Sequence, residues 1–445
     1  MVHERLGGVR MRFSTRTNWN LVENELAAAV RRRRSTGLAV IDLTVSNPTR
    51  CGFRYDQGDV LGCLEHPGAL EYDPDPLGMM AARRAVSDYY RDGGAKVDPE
   101  QICLTTSTSE AYSFLFRLLC NAGDEVLAAG PSYPLFDYLA RLDDVELREY
   151  PLFYDPNASV GTASSVAEET KPDSDRGLDR GLGAGFGEGL RASAATSLGG
   201  GLTAAQGWWI DLHALKLAIT DRTRAILVVH PNNPTGNYVS AAEREALEAL
   251  CVERGLVLIV DEVFLDYSLD AAVPSFMTSG TEAPGCLTFV LSGLSKICGL
   301  PQMKASWIAA RGPGFLLQSA MERLEVIADT YLSMNAPIQY ALPGWLAGRA
   351  RLQEQVRERM RSNLAFLDRH LRGSCAGRLA MQGGWTVVLR VPRTVGSQEF
   401  ALAALERGVL VQPGDFYGMG DGRAILSLLT PPEQWEKGLD LLPVD

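Results

Sequence analysis

Short apolar runs alternate with stretches of helical periodicity along much of the chain. Runs with the length of buried strands fall at residues 38–45, 101–104, 126–129, 225–229, 256–260 and 286–291. Residues spaced as on an amphipathic helix fall at 18–36, 79–91, 110–121, 211–219, 241–255, 314–334 and 352–370. Strands separated by helices of this length predict a parallel α/β sheet flanked by helices, with ligands at the carboxyl ends of its strands.

The same pattern predicts two domains in the 445 residues. Residues 61–330 carry the strand and helix alternation and are expected to form the large domain. Residues 1–60 and 331–445 are expected to come together as a smaller α+β domain, with strands near 384–390 and 424–429. Within the large domain, residues 154–206 are rich in Gly, Ala and Ser and have no apolar periodicity, so they are interpreted as a flexible insertion.

Polar side chains follow several of the predicted strands. The hydroxyl run Thr105–Ser109 precedes a helix, where side-chain and backbone donors suit a phosphate, although simple N-capping needs only one of them. Asn233 lies in a turn with two prolines and a glycine, and a plain turn role is an alternative. Asp261 closes an apolar strand, where a carboxylate is costly without a cationic partner.

Lys296 stands directly after the run at 286–291, among serine and glycine rather than other charges. A lysine in such a place loses its proton more easily when it is desolvated, and it can then attack a carbonyl compound. The alternative is a solvated surface lysine, which is the more common situation. The segments around Asp261 and Asn233 favour the reactive amine, because together they suit a phosphorylated aromatic aldehyde.

Composition narrows the function classes. The net charge is −11 and the pI is near 5.2, which argues against a nucleic-acid partner. The apolar runs are too short to cross a membrane, and the first residues lack the apolar core of a secretion signal. Eight cysteines without CxxC spacing favour reduced thiols and a cytoplasmic protein over a disulfide or zinc framework.

The ordered motifs PSYPLF at 131–136, HPNNPTG at 230–236, VDEVF at 260–264 and GLSKICGLP at 293–301 resemble the class I/II aminotransferases of the aspartate aminotransferase superfamily. The resemblance implies fold type I, with a mostly parallel sheet of the seven-stranded type, and pyridoxal 5'-phosphate as cofactor. It implies that Lys296 forms the Schiff base and moves protons, Asp261 holds the ring nitrogen, Asn233 the ring hydroxyl, and Tyr133 stacks on the ring. It assigns the phosphate to Ser107, Thr108, Ser295 and Lys304.

The resemblance also implies a homodimer with shared active sites, in which Tyr72 reaches the neighbouring subunit's phosphate. The substrates would be an amino donor and a 2-oxo acid acceptor in a ping-pong cycle. Three positions depart from the family pattern. Phe264 replaces a tyrosine that donates to the ring hydroxyl, Lys304 replaces a phosphate-binding arginine, and Ile425 stands where an arginine commonly binds the substrate carboxylate.

The loss at Ile425 leaves the substrate open. Arg423, two residues earlier on the same predicted strand face, is one candidate for a carboxylate contact. Arg50, with Asn47 on the same N-terminal loop, is a second candidate, and Arg390 is a third. A lyase, racemase or decarboxylase with the same cofactor is an alternative to a transaminase, because one carbanion serves all these reactions. A catalytically weak cofactor-binding sensor is another.

Overall fold

The structure is a computed structural model of the chain. It describes residues 5–6, 9–10, 12–155, 207–278, 285–332, 334–392 and 394–444. Nearly all of the predicted insertion at 154–206 therefore lies outside the described residues, apart from positions 154 and 155.

Strands and helices alternate through most of the chain. The strands are β1 Arg5–Leu6, β2 Val9–Arg10, β3 Ile41–Asp42, β4 Ile102–Thr105, β5 Glu125–Gly130, β6 Glu146–Tyr154, β7 Trp208–Ile210, β8 Thr223–Val229, β9 Val257–Asp261, β10 Thr288–Gly293, β11 Ser306–Arg311, β12 Gly377–Arg378, β13 Thr386–Arg390, β14 Val409–Leu410, β15 Gln412–Pro413 and β16 Arg423–Ser427. The α-helices are α1 Glu25–Ser35, α2 Gln57–Leu61, α3 Met80–Asp92, α4 Thr108–Leu119, α5 Leu135–Leu142, α6 Leu212–Ala218, α7 Ala241–Arg254, α8 Leu294–Ile297, α9 Gly314–Tyr331, α10 Ala336–Gly348, α11 Ala350–His370, α12 Ser397–Glu406 and α13 Pro432–Asp440. Short 3-10 helices lie at Thr15–Thr17, Pro48–Arg50, Gly62–Leu64, Pro67–Leu70, Pro99–Gln101, Pro301–Met303 and Gly414–Tyr417.

The large sheet of the described residues has eight strands in the order β4-β11-β10-β9-β8-β5-β6-β7. Strands β4, β10, β9, β8, β5 and β6 run parallel, and β11 runs antiparallel between β10 and β4. The predicted α/β class is confirmed, and β7 adds an antiparallel eighth strand beside β6 to the seven that were expected.

Central strands of this sheet are apolar along their whole length because both faces are covered. Residues Leu258, Ile259 and Val260 of β9 are fully buried. Leu258 and Val260 belong to one apolar cluster and Ile259 to another, as side-chain alternation across a pleated sheet requires. Two helical layers therefore enclose the sheet.

The smaller domain combines N-terminal and C-terminal segments, as predicted. Its sheet has the order β12-β13-β16-β15, and β3 pairs in parallel with β14. A third apolar cluster joins Leu26 and Leu43 to residues of α11, β13, β16 and α13. Helix α10 instead packs on α3, and its Leu342 and Trp345 belong to the large-domain core.

Two N-terminal elements are shorter than the apolar pattern suggests. The helix expected at 18–36 begins only at Glu25, because the Asn24 side chain accepts from the Ala27 N–H at 2.8 Å and caps it there. The strand expected at 38–45 is limited to Ile41–Asp42, since only these residues pair with β14. Within the described part of the chain, no helix is both long enough and apolar enough to span a membrane.

Candidate active site

The strand ends bring the predicted site residues to one edge of the large sheet. Strand β9 ends at Asp261, β10 ends just before the turn that carries Lys296, and β8 and β5 end before the loops of Asn233 and Tyr133. Because β11 runs antiparallel, its first residue lies at this same edge, next to Lys304. Strand β4 leads at this edge into Ser107 and Thr108. The fold therefore gathers these residues from six separate strands.

Asp261 is buried and has two hydrogen-bond donors from the protein. The Val263 N–H donates to Oδ1 at 3.0 Å, and the Tyr112 hydroxyl donates to Oδ2 at 2.7 Å. Burial raises the pKa of Asp261, while these two donors and the nearby Lys296 act in the opposite direction. The carboxylate is thus held in a fixed orientation at the end of β9.

Lys296 is half-buried, and its ammonium group lies over two aromatic rings. Its Nζ is 4.8 Å from the ring centre of Trp385 and 5.2 Å from that of Phe264. Burial lowers the pKa of Lys296 from 10.5 to about 8, although the Asp261 charge partly offsets this effect. The neutral amine, which is the form that attacks a carbonyl, is therefore a much larger fraction of Lys296 near neutral pH than of a surface lysine.

The backbone around Lys296 is held from two sides. The Tyr267 hydroxyl donates to the Lys296 carbonyl at 2.6 Å, and the Gln353 amide donates to the next carbonyl, that of Ile297, at 3.1 Å. A Cβ atom at Gly293 would overlap the Ser306 side chain and the Ala305 carbonyl, so glycine is required where β10 leads into the turn. These contacts fix the position from which the lysine side chain extends.

Helix α4 presents its N-terminus at the same edge. Ser107 is the N-cap, and its hydroxyl accepts from the Glu110 N–H at 3.1 Å; Thr108 is the first helical residue. The capping interpretation of this hydroxyl run is therefore correct for Ser107, and it is compatible with anion binding because the hydroxyl can still donate. Ser295 lies half-buried on α8. Lys304 is exposed and has φ 53°, a left-handed conformation that is uncommon for a residue with a side chain.

Asn233 and Tyr133 lie in loops that follow β8 and β5. The Asn233 Oδ1 accepts from the Thr386 hydroxyl at 3.4 Å, which connects this loop to the smaller domain. Tyr133 is 39% exposed and lies edge-on to Phe136 at 5.8 Å. Burial raises the pKa of Tyr133, and the Asp261 charge adds to the increase. Tyr72 is 82% exposed, with its side chain turned to solvent.

The loop of Asn47 and Arg50 joins the site through the smaller domain. The Asn47 side chain accepts from the Thr49 N–H at 3.1 Å, and Arg50 is exposed on the short helix that follows. Strand β16 adjoins this loop, since the Ser427 hydroxyl donates to the Val45 carbonyl at 2.6 Å. Ser427 is also paired in register with Thr386, which contacts Asn233. The loop that carries Arg50 is thus connected to the Asn233 loop through β16 and β13.

The other two candidate arginines lie at the opposite end of the same strand pair. Arg423 and Arg390 are partners in register, four residues along the strand from Ser427 and Thr386. That separation is about 13 Å at the rise of a β-strand. Ile425 lies between these ends, is 1% exposed and belongs to an apolar cluster with Val388. The position that commonly holds arginine is therefore a packed apolar one here.

Sequence reasoning missed or undervalued three aromatic residues of this site. Tyr112 was grouped with the apolar face of its helix, although it donates to Asp261. Tyr267 was not considered, although it holds the Lys296 carbonyl. Trp385 is 1% exposed and belongs to the smaller domain's cluster, yet its ring also lies under the Lys296 ammonium. Hydrophobic periodicity predicts that an aromatic residue is buried, but it does not show whether the residue lies in the core or beside a reactive group.

The fold and the residues at this edge resemble those of aminotransferases. Residues 65–170 and 185–440 match the family model of aminotransferase class I and II, and the chain belongs to this family. The structure superposes on the solved alanine aminotransferase of Pyrococcus furiosus with a TM-score of 0.76, at 22% identity, over 97% of this chain and 98% of that one. At this identity the superposition shows the fold.

Two curated relatives differ in the reactions they are named for. The alanine aminotransferase of Mycobacterium tuberculosis is 27% identical over 336 residues, which are 73% of this chain and 64% of the relative. The S-alkyl-thiohydroximate lyase of Arabidopsis thaliana is 26% identical over 294 residues, which are 64% of this chain and 51% of the relative. The match thus spans less than two thirds of the length of either relative.

Proposed function

We propose that the protein is a pyridoxal-phosphate-dependent aminotransferase that moves an amino group between an amino compound and a 2-oxo acid. One observation carries the proposal. Lys296, with its pKa lowered to about 8, and Asp261, a buried carboxylate, follow neighbouring strands at one edge of the sheet. A nucleophilic amine beside a fixed carboxylate suits a carbonyl compound that also carries a basic ring nitrogen.

The residues at this edge fit the proposed cofactor in number and chemistry. Strands β4 and β9 are three positions apart in the sheet, which is about 14 Å. Ser107 and Thr108 would hold the phosphate at the N-terminus of α4, where free N–H groups favour an anion. The left-handed conformation of Lys304 supports a binding role for it as well, with Ser295 as a further contact.

The remaining cofactor contacts are assigned by side-chain chemistry. Asp261 would keep the ring nitrogen protonated, and Asn233 would donate to the ring hydroxyl. Tyr133 would cover one face of the ring. When bound, pyridoxal phosphate supplies a carbonyl carbon that reacts with amines and a ring that accepts the electron pair of a substrate bond.

Lys296 has two tasks in the proposed reaction. As a neutral amine it would hold the cofactor, and once released it would take the proton from the substrate Cα and later give a proton back. A lysine with a pKa of about 8 exchanges protons in both directions near neutral pH. Phe264 and Trp385 exclude water on the side of the ammonium group where their rings lie.

Substrate recognition in this proposal rests on Arg50 and Asn47 more than on Arg423. The first two stand on a loop that is bonded to Ser427. Arg423 lies at the far end of β16, and its guanidinium donates to the Gly422 carbonyl at 2.8 Å. A guanidinium on the loop would provide the charge-assisted hydrogen bonds that Ile425 cannot.

We further propose a homodimer with shared sites in the cytoplasm. Several large apolar side chains are exposed near the N-terminus and beside Tyr72, among them Leu21 at 86%, Val22 at 80% and Leu70 at 92%, and a subunit interface would cover them. No disulfide joins the eight cysteines, all of which lie in the described part of the chain, as expected in a reducing compartment. Light scattering of the purified protein would test the dimer, and a monomer at micromolar concentration would contradict it.

The proposed activity is tested with purified protein, pyridoxal phosphate and a panel of amino acids and amines. Conversion of the visible absorbance band by particular amino donors, reversed by a 2-oxo acid, is the expected result. Lys296→Ala is expected to lose both the visible band and the turnover, and transamination by this variant would refute the assignment.

A lyase is the second candidate, because the Arabidopsis relative is named for that reaction and Ile425 removes the usual carboxylate contact. Release of pyruvate and ammonia without an oxo-acid acceptor would identify it. Bound cofactor with no turnover across the panel would favour a sensor instead.

A further inference from the structure

Among the described residues, Tyr112 supplies the side-chain hydrogen bond that Asp261 accepts, and Lys296 is a cationic neighbour. The Tyr112 hydroxyl donates to Oδ2 at 2.7 Å, while a backbone N–H takes Oδ1. Both side chains are buried, at 2% and 6% exposure. A hydrogen bond to an ionised group in such a place is stronger than one between neutral groups, and its loss leaves one oxygen of the buried carboxylate without this donor.

Tyr112 is held rigidly in the orientation that reaches Asp261. Its ring lies edge-on to Phe136, with 5.1 Å between the ring centres, and tilted against Phe116 at 6.1 Å. Burial and the Asp261 charge keep the pKa of Tyr112 well above 10. The phenol therefore stays protonated near neutral pH and acts only as a donor toward the carboxylate.

The position of Tyr112 on α4 links the two ends of the proposed cofactor site. Ser107 and Thr108 stand at the N-terminus of this helix, and Tyr112 lies one turn further on. The same rigid element thus carries the candidate phosphate contacts and the partner of Asp261. Any shift of α4 would move both together.

We propose that Tyr112 is a positioning residue that keeps Asp261 ionised and aimed at the cofactor's ring nitrogen. This inference rests on the proposed function. Without the hydroxyl, Asp261 would bind a proton more readily and lose the charge that holds the protonated ring. The effect acts through the ring nitrogen alone, which distinguishes it from a general contribution of Tyr112 to packing.

The test compares Tyr112→Phe with the unaltered protein in two ligands, pyridoxal phosphate and its analogue with a CH group in place of the ring nitrogen. Dissociation constants are measured by equilibrium titration. We expect Tyr112→Phe to bind pyridoxal phosphate about tenfold more weakly, the usual size of one charge-assisted hydrogen bond. It should bind the analogue as the unaltered protein does.

Tyr150→Phe is the matched control. Tyr150 is also fully buried in the large domain, and its hydroxyl donates to the Leu227 carbonyl at 3.0 Å. Like Tyr112→Phe, the Tyr150→Phe variant loses one buried hydroxyl, but it should leave the ratio of the two dissociation constants unchanged. If Tyr112→Phe weakens the binding of both ligands equally, or weakens the binding of neither, the inference is overturned.

A second measurement covers the case in which Tyr112→Phe does not fold. Site-specific 3-fluorotyrosine at position 112 keeps the ring and makes the phenol a stronger donor. It should strengthen pyridoxal phosphate binding relative to the analogue, and an unchanged ratio overturns the inference. Failure of the unaltered protein to bind pyridoxal phosphate would instead refute the proposed function.

Discussion

The lowered pKa of Lys296 makes a quantitative prediction about how fast the protein captures its cofactor. At pH 7, a lysine with a pKa of about 8 is about one-tenth neutral, whereas one with the ordinary pKa of 10.5 is about 0.03% neutral. Only the neutral amine attacks the carbonyl. The reactive fraction of Lys296 at pH 7 therefore exceeds that of an ordinary lysine by about 300-fold.

Stopped-flow mixing of cofactor-free protein with pyridoxal phosphate between pH 6 and 11 measures this fraction. The capture rate should rise with pH and level off above a midpoint near 8. Nα-acetyl-lysine is the reference, and its rate should continue to rise to beyond pH 10. A midpoint near 10 in the protein would refute the argument that burial of Lys296 lowers its pKa.

Asp261→Asn tests whether the Asp261 charge contributes to the pKa of Lys296. The Asp261 charge raises the pKa of Lys296, so its removal should move the midpoint below that of the unaltered protein. The side-chain volume changes little, and the Tyr112 hydroxyl can still donate to the amide oxygen. A midpoint that moves upward would show that the two groups do not interact as the structure indicates.

Three further changes have expected outcomes. Arg50→Ala should raise the KM for a 2-oxo acid by about 10- to 100-fold, as loss of a charge-assisted hydrogen bond does. Arg423→Ala should change this KM less than about twofold, because a position far from the substrate contributes little. Steady-state kinetics compares the two variants, and equal effects on KM would contradict the assignment. Phe264→Tyr adds a hydroxyl beside Lys296, so the pH midpoint of the holoenzyme's visible absorbance should fall; an unchanged midpoint would place this ring away from the cofactor hydroxyl. Ile425→Ala should lower the free energy of unfolding by about 2–4 kcal/mol, measured in urea, and a loss below about 1 kcal/mol would mean that the side chain is not tightly packed.

The parallel strands β4, β5, β8, β9 and β10 were predictable because each contains a continuous apolar run, whereas β11 was not predicted. Strand β6 was missed because its residues alternate between buried and exposed, and charged side chains such as Arg148 and Glu149 interrupt the apolar pattern. Helices α12 and α13 were missed as well. The short strand β3 is stabilised only by pairing with β14, some 370 residues away in the chain, so no local pattern could limit it to two residues.

The site was predictable where a residue type reveals its chemistry and unpredictable where a distant partner creates it. Lys296 and Asp261 could be proposed from their place at strand ends. The contact between Tyr112 and Asp261 joins residues 149 positions apart, and local periodicity contains no information about such pairs. The separation of Arg423 from the loop that carries Arg50 likewise depends on how β16 pairs with β13, and only the folded chain defines this pairing.

The pairing of β6 with β7 has a consequence for how this chain tolerates changes in length. Tyr154 is the register partner of Trp208, and the Asp155 N–H donates to the Gly207 carbonyl at 2.8 Å. The chain therefore leaves the sheet and returns to it at one point, on the edge strand farthest from β4. Sites where the two chain ends meet at a domain surface accept foreign domains well. A fluorescent protein inserted between residues 155 and 207 is therefore expected to leave the order of the sheet strands unchanged. The proposed activity is expected to be unchanged as well.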